Sequence, residues 1–211
     1  MGVFAITGNL TSGKSTVLKL LKNKGAGIFD IDERIHEYYK DRSSSVYKKV
    51  ISTFPQVVKK HSISRRKLAG VVFKDLRQLH RLERIVHPAS IRDLGEWVKR
   101  VRVKKGSYIA EVPLLFEKKL QDCFDGVILV VAKREILIER IRKKFSLSRE
   151  MAIKRLSLYL SIREKIKKAD FIIENDVTFR KLKEEVDSLW NKFERANSTR
   201  HFSKVFRDQN A

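Results

Sequence analysis

The sequence has few cysteines and prolines, and it begins without a long apolar segment. It has 211 residues with one cysteine and three prolines, which excludes a disulfide framework. The single thiol, Cys123, belongs to no Cys-x-x-Cys pair, so a reducing compartment is favoured. The first apolar run, residues 3–6, stops at Thr7 and Gly8 and is too short for a signal peptide or a transmembrane span. We therefore expect a cytoplasmic protein without a membrane partner.

Acidic residues are also scarce relative to basic ones. The chain carries 47 Lys and Arg against 25 Asp and Glu, a formal net charge of +22. Nucleic-acid binding would explain this charge, with basic runs at residues 99–105 and 140–144. A basic proteome background combined with a polyanionic small substrate explains it equally well, and no nucleic-acid-binding motif accompanies the charge. We favour the second explanation, and the first stays open.

What the sequence does contain is an alternation of apolar runs and helical patterns. Five runs are typical of buried strands, and amphipathic helical patterns separate them. This alternation predicts an α/β fold with a five-stranded parallel sheet flanked by helices, and with ligands at the carboxyl ends of the strands. The predicted strands are residues 3–6, 28–32, 108–112, 127–131 and 171–173.

The domain organisation follows from length and pattern. A chain of 211 residues with 42% hydrophobic content buries one core with room for an inserted subdomain. We predict one domain over residues 1–194, with a helical insertion at about 42–98 and a helical lid at about 135–168, where Ser148 caps a helix. A closing helix is expected at 183–194, followed by a polar, mobile tail at 195–211.

A phosphate-binding motif lies between the first predicted strand and the first predicted helix. Residues 8–15 read Gly-Asn-Leu-Thr-Ser-Gly-Lys-Ser and match G-x-x-x-x-G-K-[ST] in full. The glycines let backbone amides point at an anion, and the following helix adds its positive end. Lys14 is expected to reach the β- and γ-phosphates, Ser15 to ligate Mg²⁺ and Thr16 to assist at the α-phosphate. The candidate ATP-binding residues here are Gly8, Thr11, Ser12, Gly13, Lys14, Ser15 and Thr16.

A pair of carboxylates distinguishes a kinase from other proteins with this loop. Asp30 and Asp32 stand two residues apart at the end of the second predicted strand, so both side chains are expected on one face. A carboxylate there orients an acceptor hydroxyl and accepts its proton during phosphoryl transfer. The alternative is that these residues cap the following helix or hold a magnesium-bound water.

Several short motifs in fixed order resemble the dephospho-coenzyme A kinase family. The resemblance covers roughly residues 3–190, and Arg155, Lys165 and Asn175 fall at the spacings of the family's closing segment. The motifs are Asp-Ile-Asp-Glu-Arg-Ile-His at 30–36, Arg-Arg-Lys-Leu at 65–68, Leu-Glu-Arg-Ile-Val-His-Pro at 82–88 and Glu-Val-Pro-Leu-Leu-Phe-Glu at 111–117.

The resemblance implies a P-loop kinase with a helical substrate-binding insertion. Such an enzyme transfers the γ-phosphoryl group of ATP, with Mg²⁺, to the ribose 3′-hydroxyl of dephospho-coenzyme A, the last step of coenzyme A synthesis. The implied catalytic residues are Asp32 as base, Lys14, and Arg140 in a mobile lid. Asn175 is implied at the ATP site, and the implied acceptor-binding residues are Asp32, His36, Arg65, His87, Pro113 and Leu114. We also expect a monomer, although no sequence feature bears on the oligomeric state.

Alternatives remain for single residues and for the whole chain. His87 is also explained as a helix-end histidine, Arg65 as part of a solvated charge run and Arg140 as part of an exposed amphipathic helix. Another small-metabolite P-loop kinase, or a basic nucleic-acid-associated P-loop protein, would share the loop. The chain departs from the family pattern at Asn9, Thr11, Leu137, Lys144, Tyr159 and Val177.

Overall fold

The computed structural model describes residues 2–59, 62–73, 75–176 and 178–198. Among these residues, those from 2 to 29 and those from 98 onward form one compact unit, and those between 30 and 97 form another. In the described part of the chain, no helix combines the length and the apolar character needed to cross a membrane.

The regular elements alternate along the chain as the sequence predicts. In order they are β1 (Gly2–Thr7), α1 (Lys14–Asn23), β2 (Gly27–Asp30), α2 (Ile31–Lys40), α3 (Ser45–Thr53), β3 (Val58–Lys59), β4 (Ser62–Ile63), α4 (Arg65–Val72), α5 (Leu76–Val101), β5 (Ser107–Glu111), β6 (Gly126–Val131), α6 (Arg134–Phe145), α7 (Arg149–Leu156), α8 (Ile162–Ile166), β7 (Phe171–Glu174) and α9 (Phe179–Ser198).

A five-stranded sheet with the order β2-β5-β1-β6-β7 organises the first unit. β1 pairs in parallel with β5 and β6, and β6 pairs in parallel with β7. The central strand β1 is buried along its whole length because helices cover both faces of such a sheet. This arrangement brings the segments that follow β1, β5, β6 and β7 to one edge and confirms the predicted fold class.

Aromatic rings consolidate the core between the sheet and the last helix. Phe4 of β1 stacks on Phe193 of α9 with ring centroids 4.1 Å apart, and Phe171 of β7 meets Phe193 edge-on at 5.6 Å. Phe4 and Phe193 are fully buried. The packing of these rings fixes α9 against β1 and β7.

The second unit is mainly helical and has its own hydrophobic core. Val50, Phe54 and Val57 lie at its centre with almost no solvent exposure. The short strands β3 and β4 form an antiparallel pair, which the sequence pattern did not predict. A partly buried polar cluster joins α2 to α5, since Asp93 accepts hydrogen bonds from Tyr38 (2.7 Å) and from Arg34 Nε (2.6 Å).

Two predicted boundaries were wrong. The second strand ends at Asp30 instead of residue 32, because the Asp30 carboxylate accepts hydrogen bonds from the backbone amides of Asp32 (2.9 Å) and Glu33 (3.0 Å) and so begins α2. The last helix runs from Phe179 to Ser198, so the predicted tail began too early. Residues 199–211 of that tail lie outside the described residues.

Candidate active site

The phosphate loop bends sharply between β1 and α1. Gly8 has φ 152° and Gly13 has φ 99°, values in the region that favours glycine. A Cβ atom on Gly8 would lie 2.3 Å from the carbonyl oxygen of Val130, and one on Gly13 would lie 1.8 Å from Asn175 Nδ2. Both motif glycines are therefore required by backbone conformation and by close packing.

Lys14, the first residue of α1, turns its side chain back over the loop. Its ammonium group is buried and donates hydrogen bonds to the carbonyl oxygens of Gly8 (3.1 Å) and Asn9 (3.2 Å). The Glu111 carboxylate at the end of β5 lies 3.9 Å from Lys14 Nζ and is also buried. The sequence analysis did not assign Glu111 to the site, although its place at the end of a predicted strand was a usable signal.

Thr11 occupies a strained position in the same loop. Its φ is 60°, in the left-handed region that non-glycine residues rarely adopt. The Thr11 hydroxyl donates to the carbonyl of Leu10 at 2.6 Å and lies 3.4 Å from the carbonyl of Leu137 in α6. A β-branched residue is thus held in a conformation that glycine adopts freely.

Arg140 of α6 contacts the backbone of the phosphate loop. Its guanidinium donates from Nη1 to Thr11 O (3.3 Å) and from Nη2 to Asn175 O (2.9 Å). The Asn175 side chain in turn donates from Nδ2 to Ser12 O at 2.8 Å. The structure therefore brings Arg140, which the resemblance implies as a catalytic lid residue, and Asn175, which it implies at the ATP site, together with the loop; the contacts of Arg140 are with carbonyl oxygens.

The remaining loop residues lie at the start of α1. Ser15 and Thr16 are exposed in the first turn of the helix, whereas Ser12 is buried. Within the described residues, Ser12 Oγ has no hydrogen-bond partner. The positive end of the dipole of α1 lies beside these groups, and it favours the binding of an anionic ligand.

Pro113 and Leu114 follow β5 in the same unit. Both are partly buried, and the Thr7 hydroxyl donates to the carbonyl of Pro113 at 3.3 Å. The segment after β5 is thereby fixed to the residue that precedes the phosphate loop.

Three of the predicted acceptor-binding residues influence one another in the second unit. Asp32 and His36 lie four residues apart on α2 and therefore share a face, and Arg65 begins α4. Burial lowers the pKa of His36, and the Arg65 charge lowers it further against the opposing effect of Asp32. Burial and the Asp32 charge raise the pKa of Tyr39. On balance these effects lower the pKa of His36 and so favour its neutral form.

Asp30 and Asp32 do not have the arrangement that the sequence pattern predicted. Asp32 lies in the first turn of α2 and is exposed, whereas the Asp30 carboxylate is committed to capping that helix. The prediction that two strand residues present both carboxylates on one face was wrong, because the cap ends the strand between them. His87 lies within α5, where its carbonyl oxygen accepts a hydrogen bond from Ser90 Oγ at 3.1 Å.

A buried ion pair links the segment after β5 to the predicted lid. Lys165 is fully buried, and its Nζ lies 3.0 Å from Glu117 Oε1, which also accepts a hydrogen bond from the Leu160 amide at 3.1 Å. Burial alone would raise the pKa of Glu117, but hydrogen bonds and the Lys165 charge hold it below its usual range.

Another residue of the predicted lid, Arg155, lies over the Phe145 ring at 4.6 Å, and burial lowers its pKa.

The sheet order and the glycine loop, with its buried lysine at the start of a helix, define a P-loop kinase fold. A family model described as dephospho-CoA kinase matches residues 2–181. This chain belongs to the dephospho-CoA kinase family. A dephospho-CoA kinase from Fusobacterium nucleatum is 34% identical over 189 residues, covering 88% of this chain and 95% of the relative. The Aquifex aeolicus dephospho-CoA kinase is 33% identical over 192 residues, with coverages of 90% and 96%.

Solved structures agree with this placement. A Thermus thermophilus protein is 32% identical with a TM-score of 0.67, and the match covers 90% of this chain and 96% of that one. The dephospho-CoA kinase of Campylobacter jejuni gives a TM-score of 0.65 at 26% identity, with the same coverages. Shikimate kinase from Bacteroides thetaiotaomicron shares the fold alone, with a TM-score of 0.53 at 14% identity.

Proposed function

We propose that this chain transfers the γ-phosphoryl group of ATP to the 3′-hydroxyl of the ribose in dephospho-coenzyme A. The observation that carries the proposal is the phosphate loop with its buried Lys14, in a chain whose family match spans residues 2–181. The match covers 95% and 96% of the length of two relatives named dephospho-CoA kinase.

The loop residues hold the nucleotide in this proposal. Backbone amides of residues 8–13 and the start of α1 bind the phosphates, and the Lys14 ammonium moves from the carbonyls of Gly8 and Asn9 to the β- and γ-phosphate oxygens. Because the lysine is buried near Glu111, its charge acts in a medium of low polarity and stabilises the charge that develops during transfer. Arg140 stiffens the loop through its hydrogen bond to Thr11 O.

Magnesium fits the oxygen ligands that the loop offers. The Ser15 hydroxyl is exposed at the start of α1, and the Glu111 carboxylate ends the neighbouring strand, so Ser15 would hold the ion directly and Glu111 through water. Among the described residues, no group of three or more His, Cys, Asp or Glu side chains could hold a metal ion. This donor set suits an ion completed by ATP phosphates and water. When bound, Mg²⁺ neutralises phosphate charge.

Asp32 is our candidate for the base that receives the acceptor proton. Its place in the first turn of α2 leaves the carboxylate exposed, so that an acceptor hydroxyl can reach it. An ionised carboxylate aligns the hydroxyl for attack and takes the proton as the new O–P bond forms. His36 and Arg65, which affect each other electrostatically on this unit, are candidates for contacts with the anionic acceptor.

The test is incubation of the purified protein with Mg-ATP and dephospho-coenzyme A, followed by mass spectrometry. A product heavier by one phosphoryl group is expected. Asp32→Asn should lower turnover by at least about a hundredfold while ATP binding stays within about threefold. Glu33→Gln, which removes an exposed neighbouring carboxylate from the same helix turn, should leave turnover unchanged. Absence of product from folded, ATP-binding protein would refute the proposal.

A further inference from the structure

The end of the sheet opposite the phosphate loop carries a dense group of exposed basic side chains. The strands are parallel, so the segments that precede β5 and β7 meet at the amino-terminal edge, whereas the loop follows β1 at the other end. We define the basic edge as Lys99, Arg100, Lys104, Lys105, Lys167 and Lys168, all of which are exposed. The first four end α5 or precede β5, and the last two precede β7.

The cations of the basic edge are not neutralised by nearby carboxylates. In the described ranges, none of these six side chains lies within 4.0 Å of an acidic side chain. Carboxylates at this edge have backbone partners: Asp125 Oδ2 accepts from the Val3 amide at 2.8 Å, and Asp170 Oδ2 accepts from the Val127 amide at 2.7 Å. The edge therefore presents a strong positive potential to solvent.

The dimensions and chemistry of the edge fit an extended polyanion. In the sheet order, β5 and β7 are three strand spacings apart, a distance of about 14 Å at roughly 4.8 Å per strand. A single small anion would contact only one end of such a surface. The length of β1 separates the edge from the phosphate loop by about 20 Å, so an occupant here would leave the nucleotide site accessible.

We propose that the basic edge binds the phosphate backbone of duplex nucleic acid without regard to sequence. Backbone binding requires only cations along a surface. Single-stranded binding uses exposed aromatic rings, but Phe124 and Phe171 at this edge are buried and Tyr108 is half-buried, its hydroxyl donating to Lys105 O at 3.1 Å. A membrane surface would call for a continuous apolar face, whereas the large apolar side chains exposed among the described residues of this edge, Val103 (85%) and Ile166 (42%), belong to the two separate segments that precede β5 and β7.

The test is fluorescence anisotropy with a labelled DNA duplex of about 20 base pairs, between about 50 and 200 mM salt. The unmodified protein should bind with an affinity that falls steeply with salt. The triple variant Lys99→Glu, Lys104→Glu, Lys105→Glu should bind at least about tenfold more weakly, with a salt slope smaller by about 3. Lys167→Glu with Lys168→Glu tests the other end of the edge and should also weaken binding.

The matched control is Lys19→Glu, Lys181→Glu, Lys183→Glu, which changes the net charge equally at exposed positions of α1 and α9. It should weaken binding by less than about threefold, and all variants should keep their turnover. Equal weakening by both triple variants would overturn the proposal, because total charge would then explain binding. No duplex binding by the unmodified protein, or edge-dependent binding to anionic phosphatidylserine vesicles in its place, would overturn it as well.

Discussion

The ammonium group of Lys14 lies 3.9 Å from the carboxylate of Glu111, and both side chains are buried. Glu111 ends β5 in register with Ile6 of the neighbouring strand β1, and Lys14 begins the helix that follows β1 after the phosphate loop. The lysine that the proposed mechanism uses therefore has a carboxylate as its neighbour.

Replacing Glu111 tests whether its charge serves phosphoryl transfer and not nucleotide binding. Glu111→Gln should lower turnover by at least about tenfold, because Lys14 loses its counter-charge and the proposed water-mediated contact to Mg²⁺ loses its negative charge. ATP affinity, measured by calorimetry without acceptor, should change by less than about threefold. Glu174→Gln, at the exposed end of β7, is the control and should leave both quantities unchanged. Unaltered turnover of Glu111→Gln would show that the carboxylate serves packing alone.

Thr11 tests whether loop strain serves nucleotide binding. Thr11→Gly relieves the positive φ of 60° but adds chain entropy, so the free energy of unfolding should change by less than about 1 kcal/mol. The KM for ATP should rise about threefold to tenfold, because the loop loses the hydroxyl contacts to Leu10 O and Leu137 O. Thr11→Ser keeps the hydroxyl and should restore the KM. An unchanged KM for Thr11→Gly would contradict this account.

Alanine substitutions at Gly13 and Gly25 distinguish the cost of a positive φ from the cost of a steric clash. Their φ values are 99° and 100°, yet a Cβ on Gly13 would lie 1.8 Å from Asn175 Nδ2 and one on Gly25 would meet nothing within 4 Å. Gly25→Ala should cost about 1–2 kcal/mol of unfolding free energy and keep ATP binding. Gly13→Ala should cost more and abolish ATP binding, as measured by chemical denaturation and calorimetry. Equal effects of the two changes would show that packing against Asn175 is unimportant.

The buried Glu117–Lys165 pair predicts a pH-dependent contribution to stability. Glu117→Gln should lower the free energy of unfolding at pH 7 by about 3 kcal/mol, because it leaves a buried ammonium without its counter-charge. The folded-state pKa of Glu117 is lowered from 4.5, so its stabilisation is complete above that value and is lost as the pH falls through the folded pKa.

Denaturation of both proteins between pH 7 and pH 3 checks this prediction. The difference between wild type and Glu117→Gln should be largest near neutrality and should shrink below about pH 4.5. Glu184→Gln removes one partner of the exposed Arg180–Glu184 pair and should cost less than about 1 kcal/mol at every pH. A constant difference for Glu117→Gln across the range would argue against an ionised buried pair.

The sequence predicted the sheet and the phosphate loop because both are locally encoded. Apolar runs mark buried strands directly, and the glycines of residues 8–13 report backbone conformation. The cap at Ser148 was also predicted, and its side chain accepts a hydrogen bond from the Met151 amide. The cap at Asp30 was considered only as an alternative, because a run of alternating residues competes with a helix start at the same position.

Side-chain contacts between residues distant in the sequence could not be predicted from the sequence pattern. Arg140 was assigned to a lid on the basis of resemblance, and nothing in its neighbourhood along the chain indicates that its guanidinium contacts Thr11 O and Asn175 O. The Glu117–Lys165 pair joins residues 48 positions apart and is visible only once α8 packs beside the segment after β5. The sequence analysis named the basic run at residues 99–105, but only the strand order places Lys167 and Lys168 at the same edge of the sheet.

The position of the transferred phosphoryl group tests the central claim most directly. Product formed from Mg-ATP and dephospho-coenzyme A should be isolated and its phosphorus and ribose signals correlated by NMR, with Lys14→Met as the inactive reference and Lys19→Met as the control at an exposed lysine. The account predicts a phosphate on the ribose 3′-oxygen with the unmodified protein and Lys19→Met, and none with Lys14→Met. A phosphate at another position, or ATP hydrolysis without phosphorylation of the acceptor, would contradict it.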